Sequence, residues 1–158
     1  MTSTFTLSAA SRLLWPIEGD KDKWPAYRAE QAHLDFGEGA AWDLGDQEGL
    51  PILAPADGTV IAGTGNDPQR NDGAFHAGNV TVLECSNYRF HLCHQQKLEV
   101  KLGEQVKQGD VIGHIGHTGT VFDSAGNLGT VAAAHLHLWT EERVNGQWRR
   151  VWPIKVFG

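Results

Sequence analysis

Apolar residues along this chain come in short runs broken by glycine, proline, asparagine and aspartate, a pattern of strands and turns rather than long helices. It predicts strands near 51–62, 78–94, 110–116, 130–143 and 147–157, with a linking segment near 95–110. Two hairpin turns punctuate the pattern. Ser86-Asn87 separates two strand-like runs, and Asn145-Gly146 between Glu141–Val144 and Gln147–Val151 is a two-residue turn whose residues tolerate positive φ. The expected fold is all-β and mainly antiparallel, with long loops and little helix. Loops near 63–77 and 119–130 would wall a groove, because loops beside a rigid sheet often carry recognition. Alternation also fixes the geometry of one motif, His135-Leu136-His137. Residues two apart on a strand face the same side, so both imidazoles look at one spot.

Composition narrows the picture. A chain of 158 residues is long enough to bury a sizeable core and fits one domain, 1–158, with residues 1–30 as an N-terminal extension packed on it. A net charge of −6 would be repelled on average by a phosphate backbone, so nucleic acid is not an expected partner. No apolar run is long enough for an integral membrane segment. The first twelve residues lack the basic start and sustained apolar core of a standard secretory signal. Cys85 and Cys93 lie far apart along the 78–94 hairpin, opposite Tyr88 and Val80, beyond the reach of a disulfide. Of six tryptophans, most suit core or cross-strand packing. Trp42, beside Asp43, could instead stack on substrate or wall off water.

Candidate chemistry lies in the eight histidines. Two neutral imidazoles on one strand are a common beginning of a zinc site, which needs a further ligand from elsewhere and, for catalysis, an open position for water. His94 ends a strand and can reach into a cleft. His33 and Asp43 sit in a glycine-rich, turn-prone stretch able to offer metal ligands. The rest have plainer readings. His91 should alternate onto the opposite strand face, His76 lies in a polar loop, and His114 and His117 flank a turn whose glycines argue against a helix. A Cys93/His94 catalytic pair is disfavoured because neighbouring strand residues point to opposite faces.

Several segments, in order, resemble the lysostaphin/LytM-type zinc metallopeptidases that cut peptide cross-links in bacterial peptidoglycan. Gly49 to Val60 resembles the strand and turn after that family's metal-binding Asp. Gly78-Asn79 and the hairpin behind it resemble the strand pair leading to its Tyr-x-His. Val100 to Gly113 and Gly116 to Gly119 resemble its glycine-punctuated turn, and His135-Leu136-His137 its closing His-Leu-His. The likeness spans about residues 33 to 157. It implies Zn2+ as cofactor, Asp43 and His137 as ligands, and His94 and His135 as the two catalytic histidines that are not ligands. Many members place a histidine four residues before the Asp, where this chain has Gly39. Other branches have a longer gap with an element like Ala41-Trp42-Asp43-Leu44, which makes His33 the first ligand. Asp35 is a rival carboxylate, sharing His33's face if that stretch is extended, but the distance from Asp43 to Gly49 fits the family spacing.

The resemblance thus implies a LytM-like fold, a zinc-dependent endopeptidase acting on peptidoglycan or similar glycine-containing peptides, and an extracellular or periplasmic setting. One alternative is a catalytically inactive member that binds peptide or regulates a wall hydrolase. A second is a cupin-like metalloprotein, in which Glu141 would join His135 and His137 at the metal. Oligomeric state is unknown at this level.

Overall fold

Nine strands hydrogen-bond into one antiparallel sheet in the computed structural model, which describes residues 12–19, 30–35, 37, 39–45, 47–64, 77–122 and 125–157. In chain order these are α1 (Glu30–Asp35), β1 (Trp42–Leu44), β2 (Pro51–Leu53), β3 (Gly58–Thr64), β4 (Asn79–Cys85), β5 (Tyr88–Leu98), β6 (Gln105–Val106), β7 (Val111–Ile115), β8 (Leu136–Val144), β9 (Gln147–Val151) and α2 (Pro153–Phe157), with a short 3-10 turn at Val131–Ala133. The main path runs β1-β8-β5-β4-β3-β6; β7 pairs with β2 and β5, and β9 with β8. The expected mainly antiparallel fold is present.

Period-two burial builds the core face. Trp42 pairs with Leu138 and Leu44 with Leu136 across β1/β8, Leu138 pairs with Leu92 across β8/β5, and Leu83 pairs with Phe90 across β4/β5. All six side chains other than Trp42 are aliphatic or phenyl, and all seven including it are fully buried. Each such burial contributes about 1.5–3 kcal/mol. Trp15 and α2 cover this face. Trp15 stacks on Trp42 at 5.5 Å and on Phe157 of α2 at 4.5 Å, and Phe157 lies 5.4 Å from Phe90.

Both predicted hairpins form. Cys85 pairs with Tyr88 around Ser86-Asn87, and Val144 pairs with Gln147 around a turn in which Asn145 and Gly146 have φ of 51° and 79°. Three boundaries differ from the pattern. The last strand stops at Val151 because Pro153 has no N–H for a ladder and suits the first turn of a helix, so 153–157 is α2. Residues 95–98, expected as linker, extend β5 by pairing with β7. Residues 131–133 form the 3-10 turn, and the strand begins at Leu136. Most of the proposed 63–77 groove wall, including His76, lies outside the described residues.

β5 changes partners at one residue. Tyr88 to Cys93 pair with β8, and Gln95 and Leu98 pair with β7. Between them His94 has φ +63°, in the left-handed region where histidine is enriched over most residues but which still costs of order 1–3 kcal/mol. The register of β4/β5 shifts beside it, between Asn79 and Thr81, as a bulge requires.

Candidate metal centre

The face opposite the core carries Asp43 and His137, which are direct partners across β1/β8. Asp43 Oδ1 lies 3.0 Å from His33 Nε2, 3.2 Å from His137 Nδ1 and 3.3 Å from His135 Nε2. His33 Nε2, Asp43 Oδ1 and His137 Nδ1 all fall within 4.8 Å of one another. A tetrahedral zinc about 2.0–2.1 Å from each ligand separates neighbouring ligand atoms by about 3.3–3.4 Å, so this donor set of one carboxylate and two imidazoles fits the ion. The three histidines hold the Asp43 carboxyl well below the ordinary carboxylate range: burial pushes the other way, and the hydrogen bonds to His135, His137 and His33 outweigh it.

His33 reaches this point from a helix rather than from a loop. In α1 the Gln31 side chain donates to Asp35 one turn on, and Trp42 Nε1 donates to Glu30 at 2.9 Å, tying the helix to the sheet. On a helix, residues two apart diverge by about 200°, so Asp35 faces away from His33 and is exposed, while His33 is buried. Asp43, not Asp35, is the carboxylate that lies against the three histidine nitrogens. Gly39 packs under Arg150, whose Cζ would stand 3.3 Å from a Cβ at that position.

His94 and His135 complete the cluster, with ring centroids 5.0 Å apart and His94 5.7 Å from His137. His94 Nδ1 donates to the Thr118 carbonyl at 2.8 Å and His135 Nδ1 to the Ala133 carbonyl at 2.7 Å. A carbonyl only accepts, so each Nδ1 carries the proton and each Nε2 presents a lone pair when the ring is neutral. Burial, followed by the neighbouring His135 and His137, pushes the His94 pKa well below its usual value.

The bulge that aims His94 is buttressed by residues without an assigned role in the sequence reading. Asn79 Nδ2 donates to the Gln95 and Gln96 carbonyls, Thr118 Oγ1 donates to the Gln95 carbonyl, and Asn79 N donates to Thr118 Oγ1. Gly78, at φ +63°, permits that approach, since a Cβ there would come within 2.4 Å of the Thr118 backbone. The signals were Gly78-Asn79 and Gly116-His117-Thr118-Gly119, whose side-chain chemistry carries no mark of a bulge.

The bulge also corrects two facing assignments. His91, opposite Trp139, shares the metal-bearing face rather than the other one, because His94 breaks the alternation counted back from it. It is no ligand: its ring stacks on Trp139 at 3.3 Å and its Nε2 donates to Glu141 at 2.7 Å. Cys93 and His94 line the same groove instead of opposite faces. His114 bonds Glu99 and His117 bonds Glu48, away from the cluster. Glu141 is engaged by His91 and belongs to neither metal-capable group among the described residues, His33/Asp43/His137 and His94/His135/His137, which removes the basis of the cupin-like arrangement. Trp42 is fully buried and packs rather than facing substrate. Both cysteines are unbridged, and burial pushes the Cys85 thiol up to about 12. A hollow of about 450 Å³ beside residues 12–19 gathers none of these histidines.

On one face of the antiparallel sheet Asp43 and His137 thus meet His33 from α1, with His94 and His135 beside them, a donor set able to hold a divalent metal ion. Residues 38–149 match the model of peptidase family M23, and the chain belongs to that family. Over 98 residues it is 37% identical to the peptidoglycan DD-endopeptidase ShyC of Vibrio cholerae, an alignment covering 62% of this chain and 18% of that protein. The chain therefore spans less than a fifth of the length of that curated relative. Among solved structures it is similar to a peptidase M23 from Pseudomonas aeruginosa (26% identity, TM-score 0.62, 96% of this chain and 53% of the other). It also shares its fold with the catalytic domain of lysostaphin from Staphylococcus simulans (24% identity, TM-score 0.51, 73% and 75%).

Proposed function

We propose that this protein is a zinc-dependent endopeptidase that hydrolyses peptide cross-links of bacterial peptidoglycan, with His33, Asp43 and His137 holding the ion and His94 and His135 as catalytic residues. The observation that carries this reading is the convergence of three histidine nitrogens within 3.0–3.3 Å of one Asp43 oxygen. When bound, zinc supplies a Lewis acid that polarises a peptide carbonyl and lowers the pKa of water toward neutrality. The chain's own residues supply the rest. Asp43, held ionised, contributes the single negative charge of the donor set. His94, kept neutral by burial, accepts a proton at Nε2 while Thr118 fixes its tautomer. His135, fixed likewise by Ala133, offers a second Nε2 on the same side, and the ring that takes a proton from water becomes the imidazolium that hands it to the leaving amine. The ShyC likeness supports peptidoglycan as the substrate class.

The test is metal analysis joined to digestion of purified peptidoglycan. The zinc-loaded chain is expected to carry one zinc and release new peptide amino termini, and His33→Ala is expected to lose both properties together. Normal zinc stoichiometry in His33→Ala would overturn the ligand assignment. A zinc-loaded wild type that leaves cross-links intact would favour the inactive, peptide-binding alternative.

A further inference from the structure

Thr118 and Ala133, whose carbonyls hold the Nδ1 protons of His94 and His135, stand at the two ends of one loop. Its neck is tied twice. Gly129, at φ +68°, donates its N–H to the Val121 carbonyl at 2.9 Å, and Phe122 bridges Leu128 in an antiparallel pair. Val121 is buried, whereas Phe122, Leu128 and Val131 are 59%, 50% and 61% exposed. These are three of the seven large apolar side chains exposed among the described residues, and Phe122 is the aromatic one. A ring left open at a fixed neck forgoes most of the free energy its burial would give. Apolar surface gathered beside a cleft in this way marks a place of contact.

The contact lies at the metal centre. A hollow of about 150 Å³ is lined by the four clustered histidines, Asp43 and Thr120, and otherwise by Ala32, Val121 and Phe122. Ala32 belongs to α1 and the other two to the loop, so two elements assemble one apolar wall. No Lys, Arg or Glu lines this hollow among the described residues. Successive residues of an extended peptide advance about 3.3 Å, so a substrate whose carbonyl reaches the centre sets a side chain beside its bond against the wall. An aliphatic side chain and the Phe122 ring then remove apolar surface from each other. A hydroxyl or charged group there trades water for a wall of carbon, which is unfavourable.

We infer that Phe122 is a specificity-determining residue that selects an aliphatic side chain on the substrate residue adjoining the bond that is cut. The inference rests on the endopeptidase reading, which supplies that bond. An enclosed apolar pocket discriminates against one added hydroxyl by about 10²-fold, and a ring half open to solvent gives less, on the order of tenfold.

The test uses the zinc-loaded full chain and cross-linked peptides of the peptidoglycan pattern. Mass spectrometry of the products locates the bond cut in the parent peptide. The residue on each side of it is then replaced in turn by valine and by threonine, which match in shape and differ in polarity. Wild type is expected to favour valine over threonine by roughly tenfold in kcat/KM at one of the two positions. Phe122→Ala is expected to cut the two members equally with unchanged zinc content, and Phe122→Leu, still aliphatic, to recover part of the preference. Equal rates of wild type on valine and threonine at both positions, or no cleavage of either replacement, overturns the assignment. So does a preference that survives in Phe122→Ala at a lower rate, the mark of a residue that only props the loop. If wild type leaves the parent peptide uncut, the endopeptidase reading fails, and calorimetry with peptides carrying valine or threonine around the cross-link decides the contact. Tighter binding of a valine member, lost in Phe122→Ala, upholds it; equal binding, or none, ends it.

Discussion

At the scale of single residues, the decisive exchange is between Gly39 and His33. The position four before Asp43 is filled by a glycine under Arg150, and an imidazole reaches the carboxylate from a helix ten residues upstream instead. Spacing along the sequence could nominate His33 but not deliver it, because a loop reading leaves the direction of its side chain open. His135 is different, since strand alternation alone put it beside His137. Its Nε2 faces Asp43 at 3.3 Å without belonging to the His33, Asp43 and His137 group. His135→Ala is therefore expected to keep zinc bound while turnover falls by about 10²–10⁴-fold, the usual weight of a positioned acid or base. Parallel metal analysis and cleavage assays check this, and unchanged turnover would remove His135 from the chemistry.

At the scale of elements, β5 and α1 place the site. Period two correctly distributes Phe90 and Leu92 into the core and His137 away from it, yet it would leave His94 on the core face with them. The left-handed turn at His94, where β5 passes from β8 to β7, is what sends the ring to the cleft. No local pattern announced it, because its cause is a change of strand partner and the Asn79–Thr118 scaffold around Gln95, contacts made across 14 to 39 residues of sequence. Helix α1 was equally hidden: six residues have little intrinsic helical stability, and tertiary anchoring decides the matter. The Trp42–Glu30 bond is that anchor. Trp42→Phe keeps a ring against Trp15 but removes the donor, so zinc affinity is expected to weaken by roughly 10-fold, corresponding to the loss of a hydrogen bond to a charged group worth about 1.5 kcal/mol. Competition with a chromophoric chelator measures this. Affinity equal to wild type would show that α1 docks without the bond.

At the scale of the whole molecule, stability should depend on pH through groups the fold has displaced. Burial, only partly opposed by Glu141, lowers the His91 pKa. As pH falls through about 6.5, the unfolded chain takes up a proton that the folded chain refuses, so stability present above that pH is lost below it. Cys85 acts at the other end: its thiol stays protonated in the fold up to about 12, while the unfolded thiol ionises near 9.0, so stability declines as pH rises between those values. His91→Gln, which can still donate to Glu141, is expected to flatten the acid limb. Denaturation midpoints from pH 8 to 5 check it; a slope identical to wild type would assign the acid limb to other groups.

The short helix that carries His33 has one more consequence. Its hold on the sheet runs through Trp42 and through whatever joins His33 to Asp43, so a chelator should act on it as a key acts on a latch. Stripped of its cation, the protein should let solvent deuterium into the amides of residues 30–35 sooner than into β5 or β8, and reloading should shut them again. That exchange would gauge occupancy of the centre without any substrate being present.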